Sequence, residues 1–204
     1  MVKEDTRSKR QAIIESARKM FATKGYEDTT IAEIAEDAGI AVGTVYLYFD
    51  NKRDIYTDVS LNWAALLAAA FEDPAIAALP FEQVPRAMVE ATFRICRQDS
   101  EMMSLFQVDI QSQEEIKKHK AADGLITGVV DNFFRQAIAQ GQLAPFDTET
   151  YAKIMFGMVH SVLFECFCVE GGENEALFRE RTIEIIERLL FGPSLSAGEN
   201  RENV

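Results

Sequence analysis

Gly25-Tyr26-Glu27-Asp28-Thr29-Thr30-Ile31-Ala32-Glu33-Ile34-Ala35-Glu36-Asp37-Ala38-Gly39-Ile40-Ala41-Val42-Gly43-Thr44-Val45-Tyr46-Leu47-Tyr48-Phe49-Asp50-Asn51-Lys52 carries the start and stop signals of two short helices. Thr30 with Glu33 three residues on reads as a capping box, Ile34, Ala35 and Ala38 supply an apolar face, and Gly39 ends the helix after about two turns. Ile40-Ala41-Val42 makes the turn, and a second short helix runs to about Phe49. Two such helices joined by a tight glycine-containing turn form a helix-turn-helix, whose second helix is small enough to enter a groove about 12 Å wide. At 100° per residue Val42, Val45, Tyr46 and Phe49 fall on one side, which is expected to pack inward. Gly43, Thr44, Leu47 and Tyr48 fall on the other, where Thr44 and Tyr48 can reach phosphates and Leu47 or Thr44 a thymine methyl. Gly43 lets the backbone come close. The amide groups opening the Thr30 helix, and Lys52 opening the next, are further candidate phosphate anchors.

Working outward, periodicity stays helical. A first helix is expected over Ser8–Thr23, with Ser8-Lys9-Arg10-Gln11 as a capping box, Ile13, Ala17, Met20 and Phe21 on one face, and Gly25 as its stop. Asp50 or Asn51 caps a fourth helix through Ile55, Val59 and Leu66. Beyond about residue 72 the helices lengthen: Phe81–Gln98, Ser100–Ile110, Gln113–Gln140, Thr148–Glu170 and Glu175–Phe191. No segment combines strict alternation with β-branched enrichment and a hairpin turn. The fold expected is therefore all-α: an amino-terminal three-helix head over residues 1–52, a larger helical domain over 53–192, and a small polar tail over 193–204.

Charge follows the same division. The net charge of −12 distributes as +4 over residues 1–24, −6 over 25–60 and −10 over the rest. That balance argues against coating nucleic acid by bulk charge or lying on anionic lipid, and confines phosphate contacts to a local patch. Three cysteines and no basic segment followed by an apolar run at the amino terminus favour a reducing cytoplasm. The apolar run Tyr151–Val169 contains Lys153, His160 and Glu165, which suits a buried helix better than a membrane span. Cys166 and Cys168 sit about 200° apart on a helix and cannot share a metal as neighbouring ligands, and His119 stands in a charged, solvated run. No nucleophile elbow, zinc-protease motif, P-loop or dinucleotide fingerprint occurs, so no catalytic residue, metal or cofactor is expected.

The run Gly39-Ile40-Ala41-Val42-Gly43-Thr44-Val45-Tyr46-Leu47-Tyr48-Phe49-Asp50-Asn51-Lys52, with Gly25-Tyr26 and Thr29-Thr30 before it, resembles the amino-terminal signature of the TetR family of bacterial transcriptional repressors. The resemblance implies that Thr29 and Thr30 contact the DNA backbone, that Val42, Gly43, Thr44, Tyr46, Leu47 and Tyr48 enter the major groove, and that Lys52 grips a phosphate. Ala41 and Val42 stand where many members carry Ser and a polar or basic residue. Readout should thus lean on thymine methyls, backbone groups and DNA shape.

One short helix offers too few contacts for specific binding, so such heads work in pairs on a near-palindromic duplex operator. The last two helices are apolar nearly all round, and Phe156, Val159, Leu163, Phe167, Ile183, Ile186 and Leu190 are expected to join two copies; the resemblance implies a four-helix interface. The alternative is that this surface is the chain's own core. Trp63, Phe71, Phe93, Met102, Met103, Phe106, Phe133 and Phe134 make the middle helices rich in aromatics and methionine. The resemblance makes part of this the wall of a cavity for a small apolar or amphipathic effector, with Arg94, Gln107, Gln111, Asn132 or His160 as polar anchors. The Tyr-Leu-Tyr-Phe segment also resembles members that regulate fatty-acid metabolism through acyl thioesters. The expected function is a homodimeric, ligand-responsive repressor; the second reading, favoured by the net −2 of residues 1–60, is a helical interaction module whose head no longer binds DNA specifically.

Overall fold

In a computed structural model, residues 2–98 and 113–192 are described, with side chains from 8–98 and 120–192. The expected helix Ser100–Ile110, Met102, Met103, Phe106, Gln107, Gln111, His119 and the tail 193–204 lie outside these side chains. Among the described residues the chain is helical, with no strand. The elements are α1 (Val2–Lys24), α2 (Ile31–Asp37), α3 (Val42–Val45), α4 (Lys52–Phe71), α5 (Pro74–Ala77), a 3₁₀ turn (Phe81–Gln83), α6 (Val84–Gln98), α7 (Gln113–Ala139), α8 (Thr148–Phe164), a π turn (Glu165–Val169) and α9 (Glu175–Phe191).

Four expectations about boundaries change, one being the end of α3, expected near Phe49 and found at Val45. α1 runs straight through Ser8, which is therefore no cap; nothing between Val2 and Ser8 is a helix breaker. The helix expected from Phe81 opens as a 3₁₀ turn, and the last turn of the helix expected over Thr148–Glu170 widens into the π turn. Elsewhere the local signals act as read. Thr30 and Glu33 form both arms of the capping box, and Asn51 accepts the amide of Asp54 at 3.0 Å. Gly39 takes φ +70°, a left-handed turn between α2 and α3 that any side chain would strain.

α2 and α3 are too short to persist alone, and packing holds them. Ile13, Ala17 and Phe21, one face of α1, close over Ile34, Val45, Phe49 and Ile55. Each fully buried large side chain contributes roughly 1.5–3 kcal/mol. Buried Ser16 donates to the carbonyl of Ile34 at 2.9 Å, tying α1 to α2. The same core continues without a break through Val59 and Trp63 to Phe93, Leu163 and Ile183. α4 is the shared element: Ile55, Tyr56 and Val59 belong to the head, while Trp63 and Leu67 belong to the layer formed with α6 to α9.

Candidate DNA-binding face and effector cavity

The α3 turn divides into an anchor and a tip. Val45 and Phe49 are buried, whereas Val42 is 41% exposed, Tyr46 53% and Leu47 81%. Val42 and Tyr46 thus join Gly43 on the outer side, a correction to the inward face expected of them. The backbone leaves the α-helix after Val45, with Leu47 bonding back to Thr44 at 3.1 Å and Tyr48 to Val45 at 2.9 Å. That tightening narrows the buried arc to Val45 and Phe49, with Thr44 and Tyr48 half-buried beside it. Arg10 reinforces the anchor: its guanidinium lies 5.2 Å over the Phe49 ring and pairs with Asp58.

The flanking residues have inward duties. Thr29 is 1% exposed and its hydroxyl donates to the carbonyl of Gly25 at 2.7 Å, so its side chain shapes the loop and does not present itself to a DNA backbone, as the resemblance had implied. Thr30 stays exposed as the cap of α2, its hydroxyl 2.9 Å from the Glu33 carboxylate. A side-chain bond from Lys24, then bonds from Thr30, hold that carboxyl down at about 2. Lys19 pairs with Asp37 in the same way, so much of the positive charge of α1 is matched by α2.

Lys52 is placed as a staple. Its ammonium donates to the carbonyls of Tyr26 at 2.6 Å, Thr29 at 2.9 Å and Glu27 at 3.0 Å, and lies 4.4 Å over the Tyr26 ring. Three acceptors use all three ammonium donors, which leaves none for the phosphate grip that the resemblance implies unless the staple opens. Lys52→Met is therefore expected to lower head stability by about 1–3 kcal/mol through the orphaned carbonyls. A thermal melt measures it, and the salt slope of duplex binding should change by less than the roughly 0.9 of a lost phosphate contact.

Behind the head, α4, α6, α7, α8 and α9 enclose a cavity of about 80 Å³ free to the centre of a water molecule. Trp63, Leu67 and Phe71 reach it from α4, Met88 and Thr92 from α6, Phe133 and Phe134 from α7, and Phe156, Val159 and His160 from α8. Thr92 spends its proton on the carbonyl of Met88 at 2.8 Å, so the wall is apolar almost throughout. Trp63, Phe133 and His160 line it as expected. Three other expected residues do not: Phe93 is fully buried against Phe167, ring centres 6.1 Å apart; Arg94 is exposed on α6; and Asn132 is exposed in a neighbouring groove. Met88 and Thr92 escaped the sequence reading, although their four-residue spacing with Val89 marks the inner face of α6.

Residues 13–59 match the family described as "Bacterial regulatory proteins, tetR family". The fatty acid metabolism regulator protein of Bacillus subtilis is 22% identical over 75% of this chain and 80% of its own length. The transcriptional repressor BepR of Brucella suis is 26% identical over 91% and 93%. The structure of the regulator FadR from Bacillus subtilis, solved with stearoyl-CoA, superposes with a TM-score of 0.76 at 20% identity, covering 90% of this chain and 98% of that one. Residues 13–59 are a TetR-family segment. The chain as a whole is similar to transcriptional regulators and is built as a helix-turn-helix head on a helical domain.

Beyond the matched segment, the apolar residues of α8 and α9 divide between two sides. Leu163, Ile183 and Ile186 are buried in the chain's own core, Phe156, Val159 and Leu190 line the cavity, and Phe167 packs on Phe93. Leu163, Ile183 and Ile186 are thus core, a correction to the interface expected of them, while Phe156, Val159, Phe167 and Leu190 are half-buried. The chain uses one side of each helix for its own core and leaves the other open: Ile154 on α8 is 63% exposed, and Leu177, Ile185 and Leu189 line one stripe of α9, Leu189 at 64%. The segment Thr148–Val169 is long and apolar enough to cross a membrane, and 22% of its most apolar 18-residue stretch is buried within the chain. The Cys166 thiol is enclosed, and burial, then Glu175 and Glu170, push it up to about 11, which keeps it protonated and unreactive.

Proposed function

We propose that this regulator acts in the cytoplasm as a homodimer on a near-palindromic DNA operator, as a repressor released by a small apolar or amphipathic effector. The observation that carries the reading is Leu47, an apolar side chain 81% exposed at the tip of a turn locked by buried Val45 and Phe49. In the groove it would cover a thymine methyl, with Val42, Gly43, Thr44 and Tyr46 beside it and Thr30 and Tyr48 on the backbone. Residues 1–52 serve as the reading head, 53–192 as the regulatory and dimerising part, and 193–204 as a tail. The exposed stripes of Ile154, Leu177, Ile185 and Leu189 supply the join between copies.

α4 couples the two functions. Its Ile55 and Val59 are embedded in the head and its Trp63, Leu67 and Phe71 line the cavity, so a molecule entering the cavity displaces the rod on which the head sits. Such coupling is typically 1–3 kcal/mol, a five- to 150-fold loss of operator affinity. The apolar wall suits the hydrocarbon part of an effector, and the structural neighbour FadR from Bacillus subtilis was solved in complex with stearoyl-CoA.

Fluorescence anisotropy on a selected duplex and its scrambled version tests the reading. A regulator prefers the selected duplex by a factor on the order of a thousand or more, with affinity falling steeply as salt rises. Leu47→Ala should cost about 1–3 kcal/mol on the selected duplex and leave the salt slope unchanged, because it removes a base contact and no charge. Equal binding to both duplexes favours the second reading, an interaction module, which the pairing of Lys19 and Lys24 with acids of α2 supports.

A further inference from the structure

Next to the cavity, between α7 and the stretch from the end of α4 to the start of α6, lies a groove of about 410 Å³ free to the centre of a water molecule. Phe71, Met88 and Phe133 line both spaces and form their common wall. The character changes across that wall. The inner space is apolar, whereas the groove is bordered by the carboxamides of Asn132, Gln136 and Gln140, one stripe of α7 at four-residue spacing, and of Gln142 just beyond the helix. All four are exposed.

The charged side chain among the groove's lining residues is Glu72. The arginines nearest in sequence are committed elsewhere: Arg86 to Glu180 and Glu187, each at 3.2 Å, and Arg135 to Asp131 at 2.7 Å. Lys117, Lys118 and Lys120 stand nine or more residues before Val129 on α7, about 13 Å or further along the axis. Residues 99–112 contain no lysine or arginine. Carboxamides offer both donors and acceptors and no net charge, and a carboxylate or phosphate set among them and Glu72 would find no counter-charge among the described residues that line the groove.

We propose that the effector is an uncharged amphiphile, its hydrocarbon part in the inner cavity and a neutral hydrogen-bonding head, an amide or alcohol, on Asn132, Gln136 and Gln140. Met88 and Phe133 turn aside to let one molecule occupy both spaces. The proposal rests on the effector-cavity reading above and departs from the anionic thioester bound by the Bacillus subtilis neighbour.

Trp63 is the chain's single tryptophan and lines the cavity, so its emission reports occupancy. The full-length protein is titrated with N-lauroylethanolamine, laurate and lauroyl-CoA, which share one chain and differ in head. The neutral amide is expected to bind roughly tenfold or more tightly than either anion. Gln136→Lys, at an exposed position whose folding a melt verifies, should bring laurate up to or past the amide. If laurate or lauroyl-CoA binds the wild type as tightly as the amide, or if Gln136→Lys leaves the order untouched, the head-group assignment is overturned and the cavity reading survives. If none of the three alters Trp63 emission, both are overturned.

Discussion

Leu189→Arg is expected to turn the protein into monomers while leaving each protomer folded, and to lower operator affinity on the order of a hundredfold or more. Leu189 is 64% exposed in the protomer, on the same stripe of α9 as Ile185 and Leu177, so the substitution disturbs no core. In the proposed twofold assembly the same side chain is covered, and symmetry introduces two unpaired charges at once. An uncompensated buried charge costs about 3–5 kcal/mol, enough to raise a dimer dissociation constant by a hundredfold or more. A lone head then loses its partner's half of the contacts. Sedimentation velocity and a melt check the two halves: a monomer with unchanged melting temperature is the expected outcome. A dimer that survives the substitution would remove α9 from the join.

Val159→Phe is expected to give a protein that still binds its operator but no longer releases it. Val159 faces the inner cavity from α8, and a phenyl ring in its place takes up much of a space of about 80 Å³. The overpacking costs about 1–3 kcal/mol of stability, which the continuous core can absorb. The recognition turn, closed over Val45 and Phe49 some distance along the core, is untouched. Effector-dependent loss of operator affinity should therefore drop from the five- to 150-fold range to none, with basal affinity unchanged, in the same anisotropy titration. A variant that keeps its full response would place the effector outside this cavity.

The parts of the fold legible in the sequence are those set by local rules. The Thr30 and Glu33 box, the left-handed Gly39 and the four-residue spacing of Ile13, Ala17 and Phe21 each act within a few residues, and each forms as read. What the sequence hides is long-range. Lys52 finds its acceptors 23–26 residues earlier, in a loop with no period, and Thr29 is buried by that same loop. The helical wheel placed Val42 and Tyr46 inward because it assumed a helix continuing to Phe49, whereas the backbone tightens after Val45. α8 and α9 are apolar on both sides, so pattern alone could not tell the side that builds the cavity from the side left open. Phe93 and Phe133 are the same residue type at helical positions; only packing makes one core and the other a cavity wall.

The central claim is that two copies of the Val42–Tyr48 turn address one side of a duplex together. A hydroxyl-radical footprint of the full-length protein on its selected duplex tests it most directly. Two protected windows on one face of the DNA, separated by about 34–36 Å or a multiple of it and both weakened by Leu47→Ala, are the expected result. A single window, or uniform protection that ignores the sequence, would contradict it.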